Sequence, residues 1–284
     1  MPTLAMAALA LSVLLHVAWN LTARHTEPDR RFLWWALLAF LALVGPWSIA
    51  ALISEAAWSW RLALLLAVTC VAEAAYFVAL GIAYRHAPVP LVYPIARSSP
   101  ILIALWTTQL FGERLPASGW LGIALSVAGV LWLATTARGG APARALPWAL
   151  AAALATSIYS TSNKLAVAAL PTYATQLGYV SVSFIAAWLA LSWENRRQLG
   201  HWIPKAAPHP AKWIVGGLFI GNAYALVIYA MQFIPAAYAV AFTNAGIVLA
   251  SVIAMICFKE GIQWRTRLAA MVTICLGLWM LTLA

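Results

Sequence analysis

Long apolar runs separated by short polar or Pro/Gly-marked segments make up most of the chain, and ten are long enough to be membrane-crossing helices. They fall at 3–24, 32–53, 61–85, 89–111, 117–136, 146–169, 173–194, 213–233, 236–258 and 264–283. Gly45-Pro46 interrupts the second run and predicts a kink, because proline lacks the N–H that would continue the helical ladder. The seventh run is the least apolar, with Thr175, Gln176, Ser181 and Ser183 along it. The first cation, Arg24, follows the first run, so that run reads as a retained helix and not as a signal peptide.

Composition agrees with the pattern. Hydrophobic residues form 64% of the 284 residues and charged residues 8%, against about 25% charged in an ordinary globular protein. So little charge cannot cover an apolar surface in water, and the solvent for most of the chain must be lipid. Ten spans of ~20 residues leave only short loops, with no room for a soluble catalytic domain. The fold class expected is an all-α integral membrane protein of ten transmembrane helices.

The net charge of +10 does not imply nucleic acid. Lys and Arg sit in short clusters between apolar runs, such as Arg24/Arg30/Arg31 and Arg196/Arg197, where they meet anionic headgroups. Loops after odd-numbered runs hold thirteen of the cations, and the opposite loops only Arg61 and Arg114. By the positive-inside rule the thirteen are cytoplasmic and both termini face outward. Cys70, Cys257 and Cys275 lie in or beside apolar runs without metal-site spacing, so no disulfide framework, metal or cofactor is expected. The tryptophans fall mostly near run ends, as at Trp34, Trp35, Trp58, Trp60, Trp120, Trp148, Trp213 and Trp264, and read as interface anchors.

The two halves echo each other. Pro88 precedes Glu113 by the same interval as Pro235 precedes Glu260, and that 147-residue offset also maps Trp132 onto Trp279 and Gly122 onto Ala269. Asn20 finds Asn163 at an offset of 143. A five-plus-five duplication with an odd number of spans per copy gives inverted repeats, here 1–138 and 145–284. Small residues recur at every fourth position in run five (Ser118, Gly122, Ser126) and run ten (Ala269, Thr273, Gly277). They are either the ordinary small-residue content of membrane helices or a surface on which runs five and ten pack.

The stretch Tyr84-Arg85-His86-Ala87-Pro88-Val89-Pro90, then Pro94, Pro100, Leu110-Phe111-Gly112-Glu113-Arg114-Leu115, Trp120-Leu121-Gly122 and Ala128-Gly129-Val130 resembles an EamA-type repeat of the drug/metabolite transporter superfamily. The second copy would be Ile234-Pro235-Ala236, Phe258-Lys259-Glu260-Gly261 and Leu276-Gly277-Leu278. It departs from the pattern at Lys259 and lacks counterparts of Pro94 and Pro100. The resemblance implies a ten-helix carrier of small metabolites such as amino acids. The opening His16-Val17-Ala18-Trp19-Asn20 also resembles a subgroup of these permeases associated with phosphonate or choline use.

Ionisable residues inside a span usually face a cavity or a partner. At the helical rise, His16 and Glu73 lie roughly 20 Å from the start of their runs and Arg97 about 12 Å. Tyr93 is one turn from Arg97, Tyr159 one turn from Asn163, and Asn20 one turn from His16. Glu73 and Arg97 are either the poles of a cavity, with Tyr76 and Tyr93 beside them, or a buried ion pair fixing helix packing. Lys164 either snorkels to the interface or enters the cavity; His16 is a hydrogen-bonded core residue, a ligand or a proton relay. Asn163, Asn222 and Asn244 are interhelical hydrogen-bond formers or pathway residues, Asn244 standing at the repeat position of Arg97.

One positive and one negative pole suit a zwitterion, such as an amino acid or aminophosphonate, with Glu73 as the carrier of a coupling proton. The alternative is an organic cation such as choline or a drug, which a buried Arg serves poorly. A membrane-embedded enzyme is disfavoured: Asp29 is the lone aspartate, in a loop, and neither GxSxG nor HExxH occurs. A channel is disfavoured by inverted repeats, which favour alternating access. The expected setting is a monomer in the bacterial inner membrane with a small-molecule substrate.

Overall fold

The computed structural model describes residues 2–24, 30–137, 139–204, 207–257 and 263–284, with the side chains of 21–24, 30 and 31 left aside. His25, Asp29, Arg138, Lys205 and the segment Phe258-Lys259-Glu260-Gly261 lie outside the described residues. Thirteen α-helices and no strands are present among the described residues. They are α1 Thr3–Arg24, α2 Arg30–Leu43, α3 Gly45–Glu55, α4 Trp60–His86, α5 Val89–Ala96, α6 Pro100–Phe111 and α7 Ala117–Ala134, then α8 Pro142–Ala166, α9 Tyr173–Leu199, α10 Pro210–Ala230, α11 Ala236–Phe242, α12 Ala245–Cys257 and α13 Trp264–Thr282.

Seven helical segments are long and apolar enough to cross a membrane, and the bent pair α2–α3 makes an eighth if it is one span. The chain is a multi-pass helical membrane protein. The ten spans read from the sequence include two, α8 and α13, that length and hydropathy do not single out. The cause lies in their polar residues: α8 carries Thr156, Ser157, Ser160, Thr161, Ser162, Asn163 and Lys164, and α13 starts with Arg265 and Arg267.

Proline and glycine punctuate the helices. Between α2 and α3 the axis turns by 58°, with Pro46 in the first turn of α3 where its absent N–H costs nothing. α5 contains Pro94 and stops at Ala96; α6 restarts with Pro100. α11 and α12 are parted at Thr243-Asn244 without proline. The segments that begin at Pro88 and Pro235 are thus each broken about one-third of the way along.

α4 packs along α8 and α9, α1 along α10, and α7 along α13. The polar residues that dilute α9 point inward: Ser181 Oγ lies 2.9 Å from Ser48 Oγ of α3, and Gln176 donates to the Leu170 carbonyl. Thr172 and Thr175 form a capping box at its start. The α7–α13 contact is made on small residues, but its seam on α13 runs through Ala270, Ile274, Gly277 and Leu281, all buried, and not through Ala269 and Thr273. A strict four-residue row drifts around a helix, whereas alternating four and three keeps facing one neighbour.

At Gly277 a Cβ would stand 2.4 Å from the Ser126 backbone nitrogen and 2.7 Å from the Gly122 carbonyl oxygen. Backbone cannot swing aside, so Gly277→Ala should push α7 and α13 apart, at the ~1–3 kcal/mol typical of overpacking. We expect a melting midpoint several degrees lower for the purified protein. Gly45→Ala, whose nearest neighbour is 4.0 Å away, should leave it unchanged or higher.

Candidate functional site

The site forms where the two helix breaks meet. Arg97 follows the last residue of α5, and its backbone N–H donates to the Tyr93 carbonyl at 3.0 Å. Its Nη1 donates to Thr243 Oγ1 at 2.8 Å and its Nη2 to the Tyr93 hydroxyl at 2.5 Å. Thr243 follows the last residue of α11, and its own hydroxyl donates to the Val240 carbonyl at 2.6 Å. The guanidinium carbon lies 4.9 Å from the Tyr93 ring centre. One side chain therefore ties both interrupted helices together, with guanidinium N–H groups to spare.

From this point a cavity of about 400 Å³ extends toward the ends of α1, α4, α7 and α12 and the start of α13. Tyr93 and Thr243 belong to its wall, together with His16, Trp19 and Asn20 of α1, Tyr84 of α4, and Ser251 of α12. Trp19 Nε1 donates to His16 Nδ1 at 3.0 Å, and Asn20 Nδ2 to the His16 carbonyl at 2.7 Å. Most of the remaining wall is apolar.

Glu73 stands elsewhere. It is 3% exposed and accepts a 2.6 Å hydrogen bond from Ser183 Oγ of α9; it is not among the residues that line the cavity. No ion pair joins Glu73 to Arg97 among the described residues. Tyr76, edge-on to Tyr159 at 5.9 Å, carries an aromatic row onward, with Tyr159 edge-on to Tyr224 at 5.5 Å and Tyr224 stacked on Phe184 at 6.0 Å.

Asn163 sits in a separate buried network. Thr69 Oγ1 lies 3.1 Å from Asn163 Oδ1 and 2.9 Å from the Tyr179 hydroxyl, and Asn163 Nδ2 donates to the Tyr224 hydroxyl. Lys164 turns inward: Nζ donates to the Met231 and Ile234 carbonyls at 2.6 and 2.9 Å, supplying a cation to the end of α10, where helix carbonyls lack partners. Asn222 accepts from the Tyr173 hydroxyl at 3.1 Å. Asn244 donates to Ser126 Oγ at 3.2 Å, and its own Oδ1 has no partner.

The structure thus places Tyr93, His16 and Asn20 in the wall of one cavity, sets Arg97 behind Tyr93 and Thr243, and distributes Glu73, Tyr76, Tyr159, Asn163, Lys164, Asn222 and Asn244 through the packing beside it. Sequence reasoning passed over Thr243, Tyr84 and Ser251. Thr243 had one signal: it immediately precedes Asn244, the position that answers Arg97. Ser183 had another, since a mid-span carboxyl requires a nearby donor.

A bundle of membrane helices, two of them broken where they meet beside a cavity, has the architecture of a small-molecule carrier; the cations here are Arg267 in the cavity wall and Arg97 behind Tyr93 and Thr243. Residues 143–283 match the EamA-like transporter family, and the chain belongs to that family through this half, the one that carries the repeat motifs less completely. The family consists of small-molecule transporters. No curated protein matches the chain. A protein crystal structure superposes with a TM-score of 0.75 over 98% of this chain and 97% of its own, at 21% identity. That likeness concerns the fold alone.

The cavity should admit water-soluble reagents and the Glu73 pocket should not. In a chain with Cys70, Cys257 and Cys275 replaced by serine, Ser251→Cys should react with a hydrophilic maleimide in the folded protein. Ser183→Cys should react only after denaturation. Equal labelling of the two would contradict the separation of cavity and carboxyl.

Proposed function

We propose that the chain is a secondary carrier with ten spans in two five-helix repeats of opposite orientation, 1–138 and 145–284. The two broken helices support this reading, beginning at Pro88 and Pro235 and interrupted after Ala96 and Phe242. So does the packing of α7, last of the first repeat, on α13, last of the second. α8 counts as a span because its polar residues, Ser157, Ser160, Ser162 and Asn163 among them, are buried against neighbours and not presented to lipid.

The cargo is a small metabolite with an acid group, amino acids and aminophosphonates being the zwitterionic members of that class. The observation that carries this reading is Arg97, bonded to the wall residues Tyr93 and Thr243 with N–H donors unspent, with Arg267 as a second cation in the wall itself. A planar guanidinium offers a carboxylate or phosphonate a two-pronged contact that an ammonium cannot match. An organic cation would have to approach this positive charge. Arg97→Lys should keep the charge and weaken apparent affinity roughly tenfold, about 1.4 kcal/mol. Arg97→Ala should abolish saturable uptake into proteoliposomes while the protein still folds. Saturable uptake surviving in Arg97→Ala would remove the acid-anchoring role.

Glu73 serves as the coupling group. It is a carboxyl in mid-helix, away from the cavity and held by one serine. Glu73→Gln keeps the shape and can still bond Ser183, so we expect near-normal stability and flux that no longer follows a proton gradient. Unchanged dependence on the gradient would refute this; a collapse in stability would assign Glu73 to packing.

The ends toward which the cavity extends are the ends that carry most of the cations. With those cations cytoplasmic in a bacterial inner membrane, the cavity opens inward and both termini lie outside. A C-terminal reporter that is active only in the cytoplasm should therefore stay dark, and a bright signal would reverse the orientation.

A further inference from the structure

Resting on the reading that Arg97 holds an acid group, we propose that the cavity recognises that acid together with an apolar body and makes no use of an amino group. The substrates are then organic acids with a compact apolar skeleton, and amino acids enter as one kind of organic acid.

The walls supply the argument. Val17, Leu80, Val89, Leu133, Ile247 and Ala250 form much of the lining, a surface that favours a hydrocarbon or aromatic body. The charged groups at the cavity are cations: Arg267 is in its wall, and Arg97 stands behind the wall residues Tyr93 and Thr243. Arg97 keeps unspent N–H groups, and His16 adds another: its Nδ1 is occupied as acceptor for the Trp19 indole, so a neutral imidazole carries its proton on Nε2 and can only donate there. Guanidinium and imidazole both give hydrogen bonds and accept none in this arrangement, which suits an oxyanion.

An ammonium finds no such provision. No carboxylate lines the cavity among the described residues, and Glu73 is committed to Ser183. Asn20 and Ser251 present neutral oxygen acceptors, which give an ammonium hydrogen bonds but no counter-charge. The face of Tyr93 is already covered by the Arg97 guanidinium. Trp19, Phe32 and Tyr84 are the other aromatic walls, and a cation stacked on them would still share the cavity with Arg267. An amino group is therefore desolvated near a fixed positive charge with nothing of opposite sign to meet it.

Two matched series test this on the full-length purified protein at pH 7, read as ligand-induced rise in melting midpoint and as proteoliposome uptake. The first is phenylalanine, 3-phenylpropionate and phenethylamine; the second is leucine, 4-methylpentanoate and isopentylamine. Within a series the body is constant while the amino or acid group is removed. We expect the deaminated acid to bind at least as well as the amino acid, the amine to be silent, and all stabilisation to disappear in Arg97→Ala, with Arg97→Lys as the variant of record if Arg97→Ala does not fold. If the amino acid binds and its deaminated acid is more than tenfold weaker, the inference fails while the acid anchor at Arg97 stands. If the amine binds as well as the acid, both fail. If no acid of either series binds, the inference fails, because bodies of this size fit a cavity of about 400 Å³.

Discussion

A helix inside a bilayer can be broken only where its freed backbone groups find partners or face a water-filled space, and everything about this site follows from two such breaks placed side by side. α5 and α11 each stop short, and the guanidinium of Arg97 is the strut between them, bonded to Tyr93 on one helix and Thr243 at the end of the other. A lysine could reach one of these partners as a point charge; a planar fork reaches two and still has donors left. The cation is tolerated at this depth because two hydroxyls hold it and a cavity adjoins them.

The acidic group that a sequence reader pairs with Arg97 is handled differently. Glu73 is buried with the Ser183 hydroxyl as its hydrogen-bond donor. Separating the two charges leaves each with its own neutral partners. That arrangement gives up the Coulomb attraction of an ion pair, but it leaves neither charge locked to the other.

Much of the helical layout was legible from apolar runs and their punctuation, because span length and proline placement are local properties. The kink at Gly45-Pro46 was visible for that reason, and Pro94 and Pro100 stand where α5 gives way to α6. The break at Thr243-Asn244 has no proline and could be suspected only through the offset that equates Asn244 with Arg97. Side-chain direction was harder to read. Lys164, Asn163 and Asn222 are all polar residues in apolar runs, yet one closes a helix end, one bridges α4 to α10, and one receives a tyrosine hydroxyl. Nothing in the spacing distinguishes a residue that faces a cavity from one that faces a neighbouring helix, because both directions are simply away from lipid. The seam of α13 shows the same problem at finer scale: of the two readings left open for the small residues, packing on α7 is the one observed, and Gly277 lies on the seam while Ala269 and Thr273 stand one residue, about a hundred degrees of helix rotation, off it.

The contact between α7 and α13 has a mechanical consequence. Where Gly277 meets Gly122 and Ser126, main chain lies against main chain, with the Leu281 and Ile274 side chains packed on Gly122 and Gly129 to either side. Sliding one helix past the other would drive Cα hydrogens into carbonyl oxygens at once, whereas a small roll about the line of contact keeps the spacing nearly constant. At that point the seam resists sliding along its length more than it resists a small rotation about it.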